Sequence, residues 1–108
     1  MLFGAMALLL TVLLVFEATA YWHARNVFDD AAAEGSRVAA AYDGSCALGV
    51  TAARRMVTAH AGRWGSGAVV TCAATSTSVT VTVSGRTPGV LGNLGLRAEV
   101  AESAPKER

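Results

Sequence analysis

"VFEATAYWHARN", residues Val15–Asn26, is the stretch on which the reading of the chain turns. It closes an uncharged apolar run, Met1–Phe16, which reads MLFGAMALLLTVLLVF. Glu17 follows at once, and the aromatic pair Tyr21 and Trp22 comes one turn later. The stretch also holds "ATA" at Ala18–Ala20, the small-x-small pattern of a secretory cleavage site. Three readings compete: a signal peptide cut after Ala20, a membrane anchor that is retained, or a helix through which the protein assembles.

Helical arithmetic favours the anchor. Sixteen residues rise about 24 Å, short of a hydrocarbon core of roughly 30 Å. Extension to Trp22 gives about 33 Å, so residues 1–22 are read as a transmembrane helix with Tyr21 and Trp22 in the interfacial aromatic belt. Glu17 then sits about one and a half turns inside that end. There it can snorkel to the headgroups or meet a cationic group on a neighbouring helix. A soluble domain released after Ala20 is the alternative. Against it, Glu17 interrupts the apolar segment and the helical pattern continues across the cleavage site.

Between His23 and Tyr42 there is no proline, and Gly35 is the sole glycine. Val27, Phe28, Ala31, Glu34, Val38 and Tyr42 recur near helical spacing. "AAAEGSRVAAA" is rich in small residues that let helices approach closely. The prediction is one long helix, half in the membrane and half amphipathic over 23–42, ended by the turn chemistry of "YDGS". Ser45 is placed to cap a second helix over 46–61, with Gly62 as its stop. Val50, Ala53, Met56, Val57 and His60 form its apolar side, and Arg54 and Arg55 face away.

The period then changes to two. "AVVTCAAT" and "SVTVTVSG" read as strands over about 68–74 and 78–85. Val79, Val81 and Val83 alternate with Thr80, Thr82 and Ser84, which is a half-buried strand with one wet face. "RTPGVLGNLG" reads as a loop and residues 95–103 as a third strand, alternating at Leu96, Ala98 and Val100. Residues 104–108 read as a flexible tail. The expected fold class is α+β: a long N-terminal transmembrane and amphipathic helix, a short helix, then a three-stranded antiparallel sheet. Residues 23–103 form its small head domain.

The two cysteines, Cys46 and Cys72, both follow the apolar run. Beyond a membrane they enter an oxidising space and can pair; in the cytosol they stay reduced and buried. A bridge would close a loop of about 26 residues, worth roughly 3 kcal/mol through lost chain entropy. It would also pin the second helix to the first strand of a domain whose core is small.

Of the 108 residues, 53% are hydrophobic and 16% charged, with net charge +1. That balance gives no footing for nucleic acid or another polyanion. The two His and two Cys lack metal-ligand spacing, and no nucleophile elbow or phosphate loop occurs. Asp29 and Asp30 point about 100° apart on a helix and read as a solvated face. The expectation is a protein that works by association, without catalysis, cofactor or small-molecule substrate.

"YWHARNVFDDAAAEGSRVAAAYDG" resembles the segment after the membrane helix in TadE-like proteins, the pseudopilins of the tight-adherence (Tad, or Flp) pilus system. The matching residues are Tyr21, Trp22, His23, Ala24 and Arg25, then Ala31, Ala32, Glu34, Gly35, Ser36, Arg37, Ala39 and Ala40. "VTVTVSGRTPGVLGNLGLRAEVAES" is similar to the strand, loop and strand that end actinobacterial members. The resemblance implies a pilin-like fold and a role in assembling or anchoring a pilus. The implied partners are membrane lipid and other pilins or Tad assembly proteins, in a hetero-oligomer. Glu17, Tyr21, Trp22, Glu34, Gly35 and Arg37 are the candidate membrane-interface and assembly residues. Small residues on the helix and the Thr-rich sheet face are candidate contact surfaces. The family's glutamate at the start of its apolar helix is not assigned to Glu17, which lies near the other end.

Topology meets a conflict. Arg25, on the carboxyl side of the apolar run, places that side in the cytoplasm by the positive-inside rule. The cysteines and the resemblance place it outside. The expectation is a single-pass protein of the cell membrane with an extracytoplasmic C-terminal domain.

Overall fold

The computed structural model describes residues 1–107. A single helix, α1 (Leu2–Ala40), runs 39 residues without interruption. Its most apolar 18-residue window has a mean hydropathy of 2.2 and is almost wholly unburied, so α1 is long and apolar enough to cross a membrane. From Leu2 to Phe16 every residue is exposed; from Glu17 onward one face is covered.

Helix α2 (Cys46–Ala61) folds back along that covered half. The Ser45 hydroxyl accepts the Leu48 N–H at 3.3 Å, and Gly62, at φ 63°, ends the helix. Gly62–Gly65 form a 3-10 turn. The sheet follows as an antiparallel meander of β1 (Val69–Ala74), β2 (Ser78–Arg86) and β3 (Arg97–Pro105), in spatial order β1-β2-β3. The Thr75 side chain organises the β1–β2 turn, accepting the Ser78 N–H at 3.0 Å.

Register puts Val70 and Cys72 opposite Val83 and Val81, and Val83 opposite Val100. These residues form the inner face, on which α1 and α2 lie. Thr80, Thr82 and Ser84 form the outer face, where the Thr80 and Ser103 hydroxyls meet at 2.7 Å. The disulfide Cys46–Cys72 ties the first turn of α2 to β1, with Cα atoms 5.6 Å apart.

The α+β fold is thus the expected one; His60, expected on the apolar side of α2, and Leu96, expected in the third strand, are exposed, Leu96 lying just before β3, and three larger local differences follow. The covered face of α1 is built from Ala24, Val27, Phe28, Ala31, Ala32, Gly35, Ser36 and Ala39, while Tyr42 is exposed and Glu34 lies at the margin. Small side chains win that face because the partners come close. A Cβ on Gly35 would stand 2.8 Å from the Gly49 carbonyl, and one on Gly49 would stand 2.6 Å from the Gly35 carbonyl. The second difference lies in the Gly/Pro loop, where Val90–Asn93 make one helical turn, α3. Third, the chain end is more ordered than a frayed tail from residue 104. β3 continues to Pro105, Lys106 N–H donates to Thr77 O, and Glu107 N–H donates to Ala40 O at the end of α1. Arg108, the last residue of the expected tail, lies outside the described residues.

Candidate functional site

The boundary between the bare and covered halves of α1 falls at Glu17: Glu17, Ala20 and part of Tyr21, expected within a transmembrane segment 1–22, are covered by the head, which begins six residues earlier than residue 23. From sequence, Glu17 has two places to go: lipid headgroups or a cationic neighbour. The structure gives it a third, inside its own chain. Its Oε1 accepts the Val90 N–H at 2.7 Å and its Oε2 accepts the Leu91 N–H at 3.3 Å. The residue is 6% exposed. A buried carboxylate is costly unless it is hydrogen-bonded, and these two N–H groups supply that compensation. Gly89 makes the contact possible. It sits at φ 102°, which disfavours a side chain, and a Cβ there would fall 2.8 Å from Oε2.

Glu17 thereby fastens the β2–β3 connection to α1 at the level where the apolar run ends. The loop is internally closed: Thr87 N–H donates to Leu96 O at 3.1 Å and Leu96 N–H to Leu91 O at 2.8 Å. Its inner side is occupied by glycine and the Glu17 carboxylate, so its large side chains turn outward. Val90, Leu91 and Leu94 are all exposed, Leu94 at 77%. Val90 shares a cleft with Phe16, the last residue of the apolar run.

The remaining expected site residues divide by role. Tyr21 packs partly into the core and Trp22 is exposed at 62%. Gly35 lies at the α1–α2 contact and is a packing residue within this chain. Glu34 and Arg37 form a forked ion pair one turn apart on the surface, with Nη2 to Oε1 at 2.6 Å and Nε to Oε2 at 3.2 Å. The Glu34 carboxylate raises the Arg37 guanidinium pKa still further, by hydrogen bonding and by charge. Cys46 and Cys72 form the disulfide already described.

Two further features come from the structure alone. Trp64, in the 3-10 turn, meets Phe28 at 5.7 Å and His23 at 5.9 Å between ring centroids, closing the core near the bare end of α1. Its placement within "GRWGSG" gives no periodic signal. Asp29 on α1 and Glu102 on β3 also come within hydrogen-bonding reach. The Asp29 carboxylate raises the Glu102 pKa, first through the shared hydrogen bond and then through charge repulsion. No protein-family model, curated protein or solved structure matches the chain.

Proposed function

We propose that this chain is a membrane-anchored minor pilin-like protein of the TadE type. It takes part in assembling or anchoring a Tad/Flp-type pilus through helix and domain contacts, without catalysis. The reading is carried by one observation: an unbroken helix whose first half is bare and apolar and whose second half forms the spine of a three-stranded head. Bare Leu, Val and Phe side chains on a helix need lipid or other apolar helices around them. The likeness of "AAEGSR" and of the Val/Thr strand to TadE-like proteins supplies the specific system.

In this reading the head is extracytoplasmic, where an oxidising compartment sustains Cys46–Cys72. Partners are the bilayer and other pilins or Tad assembly proteins in a hetero-oligomer. Glu17 weighs against release by cleavage after Ala20. That cut would strip the carboxylate from the Val90 and Leu91 N–H groups and take with it part of the covered face.

The test is made in the native host. The expected protein stays in alkaline-washed membranes, has an intact mass lower by two hydrogens than the dithiol, and is required for surface pili. A soluble species beginning at Tyr21, or free thiols shielded from an impermeant reagent on intact cells, overturns the reading.

A further inference from the structure

We propose that the end of the head nearest the bare half of α1 binds the headgroups of anionic phospholipids. In this arrangement Val90, Leu91 and Leu94 rest on the acyl boundary, and Arg63, Arg86 and Arg97 take the lipid phosphates. The inference rests on the membrane-anchored reading.

Position is the first argument. Phe16 is the last residue of the apolar run, and Glu17, the next residue, already holds the β2–β3 loop. No linker separates the membrane segment from the head. A bilayer that surrounds Phe16 therefore meets the loop within about one helical turn. Leucines exposed there are unpartnered in water and covered at a bilayer boundary.

Charge is the second argument. Phe16, Trp64, Pro88 and the three arginines line a cleft of about 580 Å³, and none of its lining residues is acidic. Arg86 and Arg97 are direct partners across β2 and β3. Such partners have Cβ atoms about 5 Å apart, and like charges there repel. Among the described residues none of the three arginines forms an ion pair. The nearby carboxylate, Glu17, is engaged by Val90 and Leu91. The fold thus holds two like charges side by side and leaves them for an anion from outside. Guanidinium groups bind phosphate in a forked, bidentate way. Phe16 and Val90 on the cleft, with Leu91 and Leu94 exposed on the same loop, select a phosphate that carries acyl chains.

The full chain is reconstituted in vesicles of phosphatidylcholine with phosphatidylglycerol as about a third of the lipid. Spin-labelled versions of each lipid report which one the protein holds. Among the lipids that touch the protein, the expected preference for phosphatidylglycerol is about fivefold per engaged arginine at low salt, and it declines as salt is added. Arg86→Gln with Arg97→Gln brings the preference down to the roughly fivefold that Arg63 alone supplies. Arg54→Gln with Arg55→Gln removes the same charge from the exposed face of α2 and leaves the preference intact. Equal retention of the two lipids by the native chain overturns the headgroup site while leaving the anchor standing. Loss of preference in both double variants also overturns it, since net charge alone then explains the effect. If the preference is absent but the Arg86/Arg97 variant fails to associate with partner pilins, the patch belongs to an acidic protein surface instead. A chain that washes out of the vesicles at alkaline pH overturns the anchored reading and this one together.

Discussion

The two halves of α1 share one backbone and differ in what their side chains ask of their surroundings. Leu2–Phe16 carries Leu, Val, Phe and Met on all sides, all exposed. Glu17–Ala40 carries Ala, Gly and Ser along its covered face, with Phe28 as its one large, fully buried side chain. Large apolar groups in the first half keep any neighbour, lipid or helix, at side-chain distance. Small groups in the second half let a sheet and a second helix approach almost to the backbone. Charge separates the halves along the sequence, and side-chain size separates the bare surface of the first from the covered face of the second.

Truncation should separate them most sharply. Phe28→Ala removes the largest buried side chain of a core otherwise made of Val and Ala. The expected cost to head stability is about 3–5 kcal/mol, comparable to the whole stability of a small domain. Leu9→Ala, in the bare half, should change head stability by less than about 0.5 kcal/mol and act on membrane partition instead. Denaturant unfolding in micelles, followed by Trp64 fluorescence, compares the two. Equal effects would break the distinction.

Adding a methyl group gives the next contrast. Gly35→Ala drives a Cβ against the Gly49 carbonyl and should destabilise by about 1–3 kcal/mol, less up to about 1 kcal/mol of gained helix propensity. At Gly4 the same change meets nothing within 4 Å and should be neutral or slightly favourable. Thermal midpoints of the two variants give the sign directly.

The smallest expected effect is a pH dependence confined to the head. Glu102 holds its proton more tightly folded than unfolded, because Asp29 faces it. Over a window that begins at the ordinary carboxyl value of 4.5 and extends above it, the folded chain binds more protons. Stability is therefore greatest below that window and falls as pH rises through it. The site is solvent-exposed, so the slope is shallow and screened by salt. Asp29→Asn should flatten it, as read from melting temperature against pH.

How much of this was legible in the sequence follows from the range of each interaction. The Ser45 cap, the Gly62 stop and the Val79–Val81–Val83 alternation are local signals, and each element stands where they put it. Large-residue periodicity runs the covered stripe of α1 too far toward Glu34, Val38 and Tyr42. Periodicity weighs large residues, whereas this interface is made of alanine and glycine. The contact from Glu17 to Leu91 spans 74 positions and leaves no local trace. A glutamate at the end of an apolar run marks a buried charge in need of a partner; only the fold supplies the partner. The Arg86–Arg97 pairing likewise depends on a register that two separate strands do not announce.

The unbroken course of α1 has a mechanical consequence. No proline or flexible linker interrupts the rod between its bare end and Ala40. Tension applied at the bare end reaches the head without slack, and rotation of the rod turns the head by the same angle. Within the head that tension becomes shear, because α1 lies along α2 and the sheet and is stitched to the loop by Glu17. Shear loads many contacts at once, where peeling would break them one by one. The molecule is a stiff lever with its grip spread over the whole inner face of the head.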